Sequence, residues 1–444
     1  MSEITIGAIC MLASLVLIQS GLHIGIALML VSFLGVWGIK NVAVAGKLLA
    51  SSVTTSIASD TFGVIPLFVI MGLFVSATGM GRDTFDVAAH VTRRLRGGLG
   101  IATVAANAVF AACTGTSIAS ASIFTKVAVP QMVRHGYQLP FAVGVVTGSS
   151  VLGMLIPPSL LMIIFGVLAN TSIGDLFTAG IVPGIVLAAS FSLCIFTLSI
   201  WQPERVFKGL SAHDRGEFDD IPLRALLAKV IPVGILIFIV LGGIYGGYFT
   251  PTEAGGAGAF AAFLIGVARR EITLKIFWDV SIETGKITAA ICFVLMAAQL
   301  YSQMLTLSGL PYAVGQWLQS ANLNFVVILF GYLAVVVLLG CFLDSLSIML
   351  IILPFVLPVI DGFGVNLVWF GLITIVAIEI GLLTPPLGMS VFVVKANLGA
   401  ADITTWRIFM GTMPMTITMS LFLLVVVFFP SLSLVLLGKS WSWW

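Results

Sequence analysis

The sequence predicts an all-α polytopic membrane protein made of two inverted-topology repeats, with about 10 transmembrane helices and two re-entrant helical hairpins. Three observations carry this expectation. With 59% hydrophobic residues, 9% charged residues and a mean hydropathy of +1.17, the 444-residue chain lies far outside the soluble range. Two of its apolar runs contain near-copies of one segment, Gly153 to Pro158 (GMLIPP) and Gly381 to Pro386 (GLLTPP). The register extends well beyond them: Pro157/Pro385, Gly153/Gly381, Pro130/Pro358, Gly136/Gly364, Ser117/Ser345, Cys113/Cys341 and Gly81/Gly309 all differ by 228 positions. A gap-free internal repeat is the simplest explanation.

The Pro-Pro pairs matter because proline removes a backbone donor and clashes with the preceding turn, so each apolar helix must open there. Unpaired backbone groups cost several kcal/mol each in hydrocarbon, so such breaks persist only where they line a cavity or a binding site.

In chain order, apolar runs bounded by Gly, Pro or charge are Ile4 to Ile18, Ile24 to Ile39, Phe62 to Met80, Gly100 to Pro130, Leu139 to Leu168 and Phe177 to Ile200. The first follows Glu3 with no basic residue and no small-residue cleavage site, so it reads as a span instead of a removable leader. The second half repeats the series at Leu223 to Tyr248, Glu253 to Val267, Ile287 to Leu307, Phe325 to Ile360, Leu367 to Val394 and Ile408 to Phe429. Residues 1–200 and 223–444 are therefore the expected repeats, and the polar segment 201–222 is a cytoplasmic linker.

The runs at 100–130 and 325–360 are too long for one span and carry polar breaks near Thr114 to Ser117 and Asp344 to Ser347, as hairpins would. Counting each hairpin as no net crossing leaves an odd number of crossings between equivalent positions, so the halves are inverted. Charge agrees: the loops placed outside at 170–175, 249–252, 308–324 and 361–366 hold no Lys or Arg, whereas Arg82 to Arg96 and the other basic loops fall inside. Lys40 and Lys47 are exceptions to this rule.

Composition also excludes function classes. A net charge of +2 with scattered cations argues against nucleic-acid binding. The five cysteines lie in apolar surroundings without metal-site spacing, the four histidines have none either, and no Walker-type phosphate loop is present. An enzyme is not expected.

The chemistry concentrates at the four breaks. Unwound carbonyls and the hydroxyls of Thr114, Thr116, Ser117, Ser345, Ser347 and Thr384 are hard oxygen donors suited to Na⁺, and free helix N-termini offer amides to an anion. Asp344 is the most informative single residue, because a carboxylate within a membrane segment usually marks an ion or proton path. Glu379 either lines the cavity or snorkels. Glu253 reads as a first-turn acid under a Thr250 or Thr252 cap, and Lys126 as the snorkelling end of the first hairpin.

Five segments, Thr114 to Met132, Gly153 to Gly184, Gly242 to Gly256, Phe342 to Val359 and Glu379 to Val394, resemble in order the large membrane subunit of tripartite ATP-independent periplasmic (TRAP) transporters. The resemblance implies an elevator-type Na⁺ symporter of the ion transporter superfamily in the bacterial inner membrane. It also implies a separate small four-helix membrane subunit and a periplasmic binding protein that delivers an organic acid: a C4-dicarboxylate, a sugar acid or a sialic acid. Na⁺ is then the coupling ion, with ligands at Thr114, Gly115, Thr116 and Ser117, at Asp344, Ser345 and Ser347, and at the breaks through Gly153, Pro157, Gly381, Thr384 and Pro385. Substrate is expected at Thr116, Ser117, Pro158, Ser159, Asp344 and Pro386. The alternative is a stand-alone dicarboxylate or oxyanion symporter, driven by Na⁺ or H⁺, of a related inverted-repeat superfamily.

Overall fold

Apolar segments surrounded by hydrocarbon can satisfy their backbone only internally, and the chain accordingly folds into helices. The structure, a computed structural model, describes residues 2–58, 60–209, 222–321, 323–399, 403–438 and 441. In the first half the helices are α1 (Glu3–Gln19), α2 (Ile24–Ile39), α3 (Val42–Ile57), α4 (Val64–Ala77), α5 (Met80–Thr92), α6 (Gly98–Thr114), α7 (Ser117–Arg134), α8 (Leu139–Ser150), α9 (Leu152–Leu155), α10 (Leu160–Leu168), α11 (Ile173–Trp201) and the short α12 (Pro203–Val206). The second half contains α13 (Leu223–Ile237), which continues through a π turn into α14 (Gly243–Tyr245). It goes on with α15 (Pro251–Ala268), α16 (Leu274–Ser308), α17 (Leu310–Ser320), α18 (Phe325–Gly340), α19 (Ser345–Asp361), α20 (Leu367–Leu383), α21 (Met389–Asn397), α22 (Thr405–Phe428) and α23 (Ser431–Leu434).

Among the described residues four helices are individually long and apolar enough to cross a membrane, or up to six if each of two bent pairs counts as one span. The other apolar helices run 10–17 residues. Several boundaries coincide under the 228-residue shift: α7 and α19 begin at Ser117 and Ser345, α8 and α20 at Leu139 and Leu367, and α9 and α20 end at Leu155 and Leu383.

Three expectations are corrected. The segments around Arg82 to Arg96 and 308–324, read as loops, contain the helices α5 and α17, and α4 and α5 meet at 65°. Both are amphipathic, so a search for uniformly apolar runs passes over them. α3 is missed for the same reason. The first hairpin extends to Arg134, past Pro130, so Lys126 lies within α7 and does not end it. Residues 210–221 of the linker and 442–444 lie outside the described residues, whereas Trp441 packs its ring 4.9 Å from that of Trp369. Glu253 is a first-turn acid as expected, and of the two caps left open the structure selects Thr250: Thr250 and Glu253 close a capping box on α15, with Thr250 N bonding Glu253 Oε2 at 2.8 Å.

Two neighbourhoods share the interior. α16 packs on α1, α2, α3 and α4, and α15 lies against α4. The second gathers α6 to α11 with α18 to α22, α8 against α22 and α20 against α18. An ion-pair cluster fixes α5 from outside: Lys229 on α13 reaches Asp83 at 3.5 Å and also pairs with Asp86, and Arg269 bridges Asp83 and Glu271.

Without water to expel, membrane helices associate by close packing, which favours small residues at their contacts. α18 and α20 show this at Gly340 and Gly381: a Cβ placed on Gly340 would lie 2.6 Å from Gly381 Cα, a backbone atom that cannot move aside. Gly340→Ala is expected to lower stability by about 1–3 kcal/mol. Gly331→Ala on the same helix meets nothing within 4 Å and is expected to stay within ~0.5 kcal/mol of wild type. Thermal unfolding of the purified protein in detergent measures both, and equal midpoints would contradict the packing argument.

Candidate functional site at the hairpin tips and helix breaks

Each hairpin tip is held by the backbone of a broken helix. α6 stops at Thr114 because Gly115 takes a left-handed conformation (φ +65°), and Thr116 is extended before α7 begins. The Gly115 carbonyl accepts the Leu160 N–H at 3.1 Å, so the first tip satisfies a donor freed by the break in α8–α10. That broken helix bends by 41°. Ser159 caps its second part, accepting from Met162 N and donating to Met154 O at 2.5 Å. Gly153 lets the helix pass directly over the tip, since a Cβ there would lie 2.6 Å from Thr116 O.

The second tip is built alike with a longer turn. α18 ends at Gly340, and the Cys341 carbonyl accepts Leu387 N at 3.2 Å and Gly388 N at 3.4 Å from the break after α20. Both Pro157-Pro158 and Pro385-Pro386 are cis. Thr384 donates its hydroxyl to Ile380 O at 2.7 Å. Asp344, the equivalent of Thr116, is the N-cap of α19: its Oδ2 accepts Leu346 N at 3.1 Å and Ser347 N at 3.2 Å, and its Oδ1 takes the Ser347 hydroxyl. Thr116 makes no such cap, so the amides of α7 carry no side-chain partner from that position.

Both tips and the first break converge on one cavity of about 390 Å³. Thr114, Gly115, Thr116, Ser117, Pro158, Ser159, Asp344 and Ser345 line it, with Leu382, Met389 and Ser390 from either side of the second break. Its opposite wall comes from the other packing neighbourhood, α4 from Phe68 to Ser76 and Ile287 of α16. Gly72 of α4 stands close enough to the first tip that a Cβ would be 3.0 Å from Thr114 O.

The remaining expected residues stand back from the cavity. Gly153 and Gly381 are buried at helix contacts and Pro157 is buried behind Pro158, whereas Ser347 serves the Asp344 cap. Pro385 and Pro386 are exposed, unlike their buried counterparts, so Pro386 does not line the cavity and the second break opens to the surface.

Glu379 fits neither sequence expectation. It is fully buried, so it does not snorkel, and it is absent from the cavity wall. Its Oε1 accepts the Ser345 hydroxyl at 3.0 Å, placing it directly beneath the second tip. The signal was present in the sequence as a carboxylate two residues before Gly381, but only packing shows which way it turns.

A helical, many-span membrane protein whose two hairpin tips close on two interrupted helices around a shared cavity is a membrane transporter by architecture. The TRAP transporter DctM component, described as the tripartite ATP-independent periplasmic transporter DctM component, matches residues 10–432, and the chain belongs to this family. It is 35% identical over 376 residues to the C4-dicarboxylate TRAP transporter large permease protein DctM of Pseudomonas aeruginosa, covering 84% of this chain and 85% of that one. It is 29% identical over 388 residues to the sialic acid TRAP transporter large permease protein SiaM of Vibrio cholerae, covering 87% and 88%. Among solved structures, the Alcanivorax borkumensis YdaH transporter shares the fold with a TM-score of 0.57 at 14% identity, covering 89% of this chain and 88% of that one. Membership decides between the two sequence readings: the chain is a large permease subunit and not an enzyme.

Gly115→Ala places a Cβ 2.6 Å from Pro158 O and forces a side chain into left-handed backbone, costing about 1–2 kcal/mol before the clash is counted. It is expected to destabilise the purified protein and abolish reconstituted uptake. A variant with wild-type unfolding midpoint and uptake would show that the tip does not depend on this conformation.

Proposed function

We propose that this permease imports an organic acid, of the C4-dicarboxylate, sugar-acid or sialic-acid class, across the bacterial inner membrane by Na⁺ symport. A periplasmic binding protein delivers the acid, and a separate small four-helix membrane subunit completes the complex in the lipid bilayer. Residues 1–200 and 223–444 act as inverted repeats joined by a cytoplasmic linker at 201–222.

The observation that supports this reading best is the convergence of both tips with a broken helix on one cavity, of a size in the range of about 300–1,000 Å³ used by small-molecule sites. The oxygen atoms there are hydroxyls, carbonyls and one carboxylate, a hard donor set that fits Na⁺. Na⁺ travels as cargo with the substrate. The tip residues Thr114 to Ser117 and Asp344, Ser345 and Ser347, with the breaks at Gly153, Pro157, Gly381, Thr384 and Pro385, are the groups through which it would be held. The α7 N-terminus, free of a side-chain cap and facing the cavity through Thr116 and Ser117, suits a substrate carboxylate.

The cavity lies between two groups of helices, one carrying the hairpins and broken helices and the other α4 and α16, which meet where α4 packs on α6 and α16 on α19. Sliding of the first against the second would carry the cavity across the bilayer, an elevator motion.

Uptake of a radiolabelled C4-dicarboxylate into proteoliposomes holding this chain and the small subunit, with binding protein outside, tests the reading. Uptake is expected only with an inward Na⁺ gradient and only with binding protein. Equal uptake when Na⁺ is replaced by choline, or when binding protein is omitted, would overturn it. Asp344→Asn keeps the helix cap, since Asn and Asp cap comparably, but removes the charge. It is expected to leave the unfolding midpoint near wild type and reduce Na⁺-dependent uptake at least tenfold. Undiminished uptake would reduce Asp344 to a cap.

A further inference from the structure

The cavity does not end at the hairpin tips. Its wall continues along α7 through Ile118 and Ala119 to Ser122, and along α21 from Met389 to Val393. In that direction the lining residues Ser76, Ser122, Ile287 and Val393 stand a few residues from the cations Arg82, Lys126, Lys286 and Lys395. The positive-inside rule assigns such an end to the cytoplasm. An anion that leaves the tips this way passes apolar walls, Ile118, Ala119, Ile287 and Val393 among them, where an unbalanced charge is costly.

One cation stands on that path. Ile118, Ser122 and Lys126 follow one another at four-residue spacing on the accessible stripe of α7, Ile118 and Lys126 exposed and Ser122 half-buried. Counted along the helix from Ser117, Ser122 lies about 7–8 Å away and Lys126 about 13–14 Å. A helical side chain leans toward its helix N-terminus, which here is the tip, so the Lys126 stem leans back toward the cavity. Ser122 itself is already engaged: it donates to Asn397 Oδ1 at 2.9 Å, and Asn397 Nδ2 donates to Val393 O at 2.9 Å. This bond closes the seam between α7 and α21, which keeps the path on the open side of α7, past Lys126. Of the other cations, Lys395 donates to Thr405 Oγ1 at 2.8 Å and Lys286 pairs with Glu283 at 3.7 Å, whereas Arg82 lies on α5, beyond the 65° bend after α4. Lys126 has no carboxylate partner among the described residues.

The second repeat lacks these polar groups. α19 packs on α10 as α7 packs on α21, but Leu350, Pro354 and Ala169 take the places of Ser122, Lys126 and Asn397 under the 228-residue shift. In an inverted pair that seam borders the outer face, so the cation marks one side of the membrane only.

We propose that Lys126 is a transient binding point for the carboxylate of the departing substrate, lowering the barrier between the α7 N-terminus and the cytoplasm. This rests on the organic-acid reading of the cavity and deepens it by giving the release step a residue. The outer mouth needs no counterpart, because a binding protein hands the substrate over there. A cleft bearing one sign of charge concentrates the opposite ion and speeds its passage by about 10- to 1,000-fold, an effect that salt suppresses.

Two measurements on the same variants test the inference. In the first, the purified full chain carrying Ser122→Cys is labelled in detergent with an anionic and a cationic methanethiosulfonate of similar size. Labelling of the parent chain, whose cysteines are buried or half-buried, is subtracted. Adding Lys126→Gln is expected to lower the anionic-to-cationic rate ratio about threefold or more at low salt, whereas Lys126→Arg keeps the ratio and about 1 M salt removes the difference. The second measurement follows uptake into proteoliposomes that hold this chain and the small subunit, with binding protein outside. Its probe is whichever of succinate, a sugar acid and N-acetylneuraminate the wild type imports. Lys126→Gln is expected to cut the maximal rate about threefold or more while leaving the half-saturating concentration of loaded binding protein unchanged, and Lys126→Arg restores the rate. An unchanged labelling ratio, an undiminished maximal rate or a loss confined to the half-saturating concentration overturns the inference and leaves the organic-acid reading standing. Import of none of the three acids by the wild type overturns that reading and the inference with it.

Discussion

The structure depends on one constraint: backbone opened inside an apolar environment must find partners within the protein. Gly115 O meets Leu160 N, and Cys341 O meets Leu387 N and Gly388 N, so each hairpin tip repays the donors freed by its own Pro-Pro break. Neither element stands alone. A hairpin with no broken helix beside it would bury an unpaired carbonyl, and a broken helix with no tip would bury unpaired amides. This reciprocity explains why the motifs recur together at a fixed offset, and why glycines sit where backbone meets backbone, at Gly115, Gly153, Gly340 and Gly381.

Several helix boundaries coincide under the 228-residue shift, but the chemistry at equivalent positions is unequal. Thr116 and Asp344 occupy the same place before their helices, yet only Asp344 caps, leaving the α7 amides open toward the cavity. The first break is buried and its Pro158 lines the cavity, whereas Pro385 and Pro386 are exposed. Two carboxyl groups, Asp344 and Glu379, stand about Ser345 in the second half. Such a division would suit the symport proposed above, with one helix end open to an anion and a carboxylate at the other tip.

Much of this was legible in the sequence because proline and glycine act locally. GMLIPP and GLLTPP announce their breaks whatever surrounds them, and the 228-residue register follows by subtraction. Family membership was legible from five motifs, and the family match across residues 10–432 agrees with them. Tertiary direction was not legible. Glu379 could turn toward the cavity, toward the surface or inward, and only the packing of α18 and α19 against α20 selects the third. α5 and α17 escaped because their apolar residues fall on one face, a pattern that windows of mean hydropathy dilute. Asp344 was recognised as an intramembrane acid, but its capping role depends on α19 starting at Ser345 and not a residue later.

The central claim is that the cation sites are built by this chain's own tips and breaks. Equilibrium binding of radioactive Na⁺ to the purified chain alone, without small subunit, binding protein or substrate, tests it most directly. The account predicts saturable binding that unlabelled Na⁺ displaces and choline does not. Binding that appears only when the small subunit or the binding protein is added, or none at all, would contradict it.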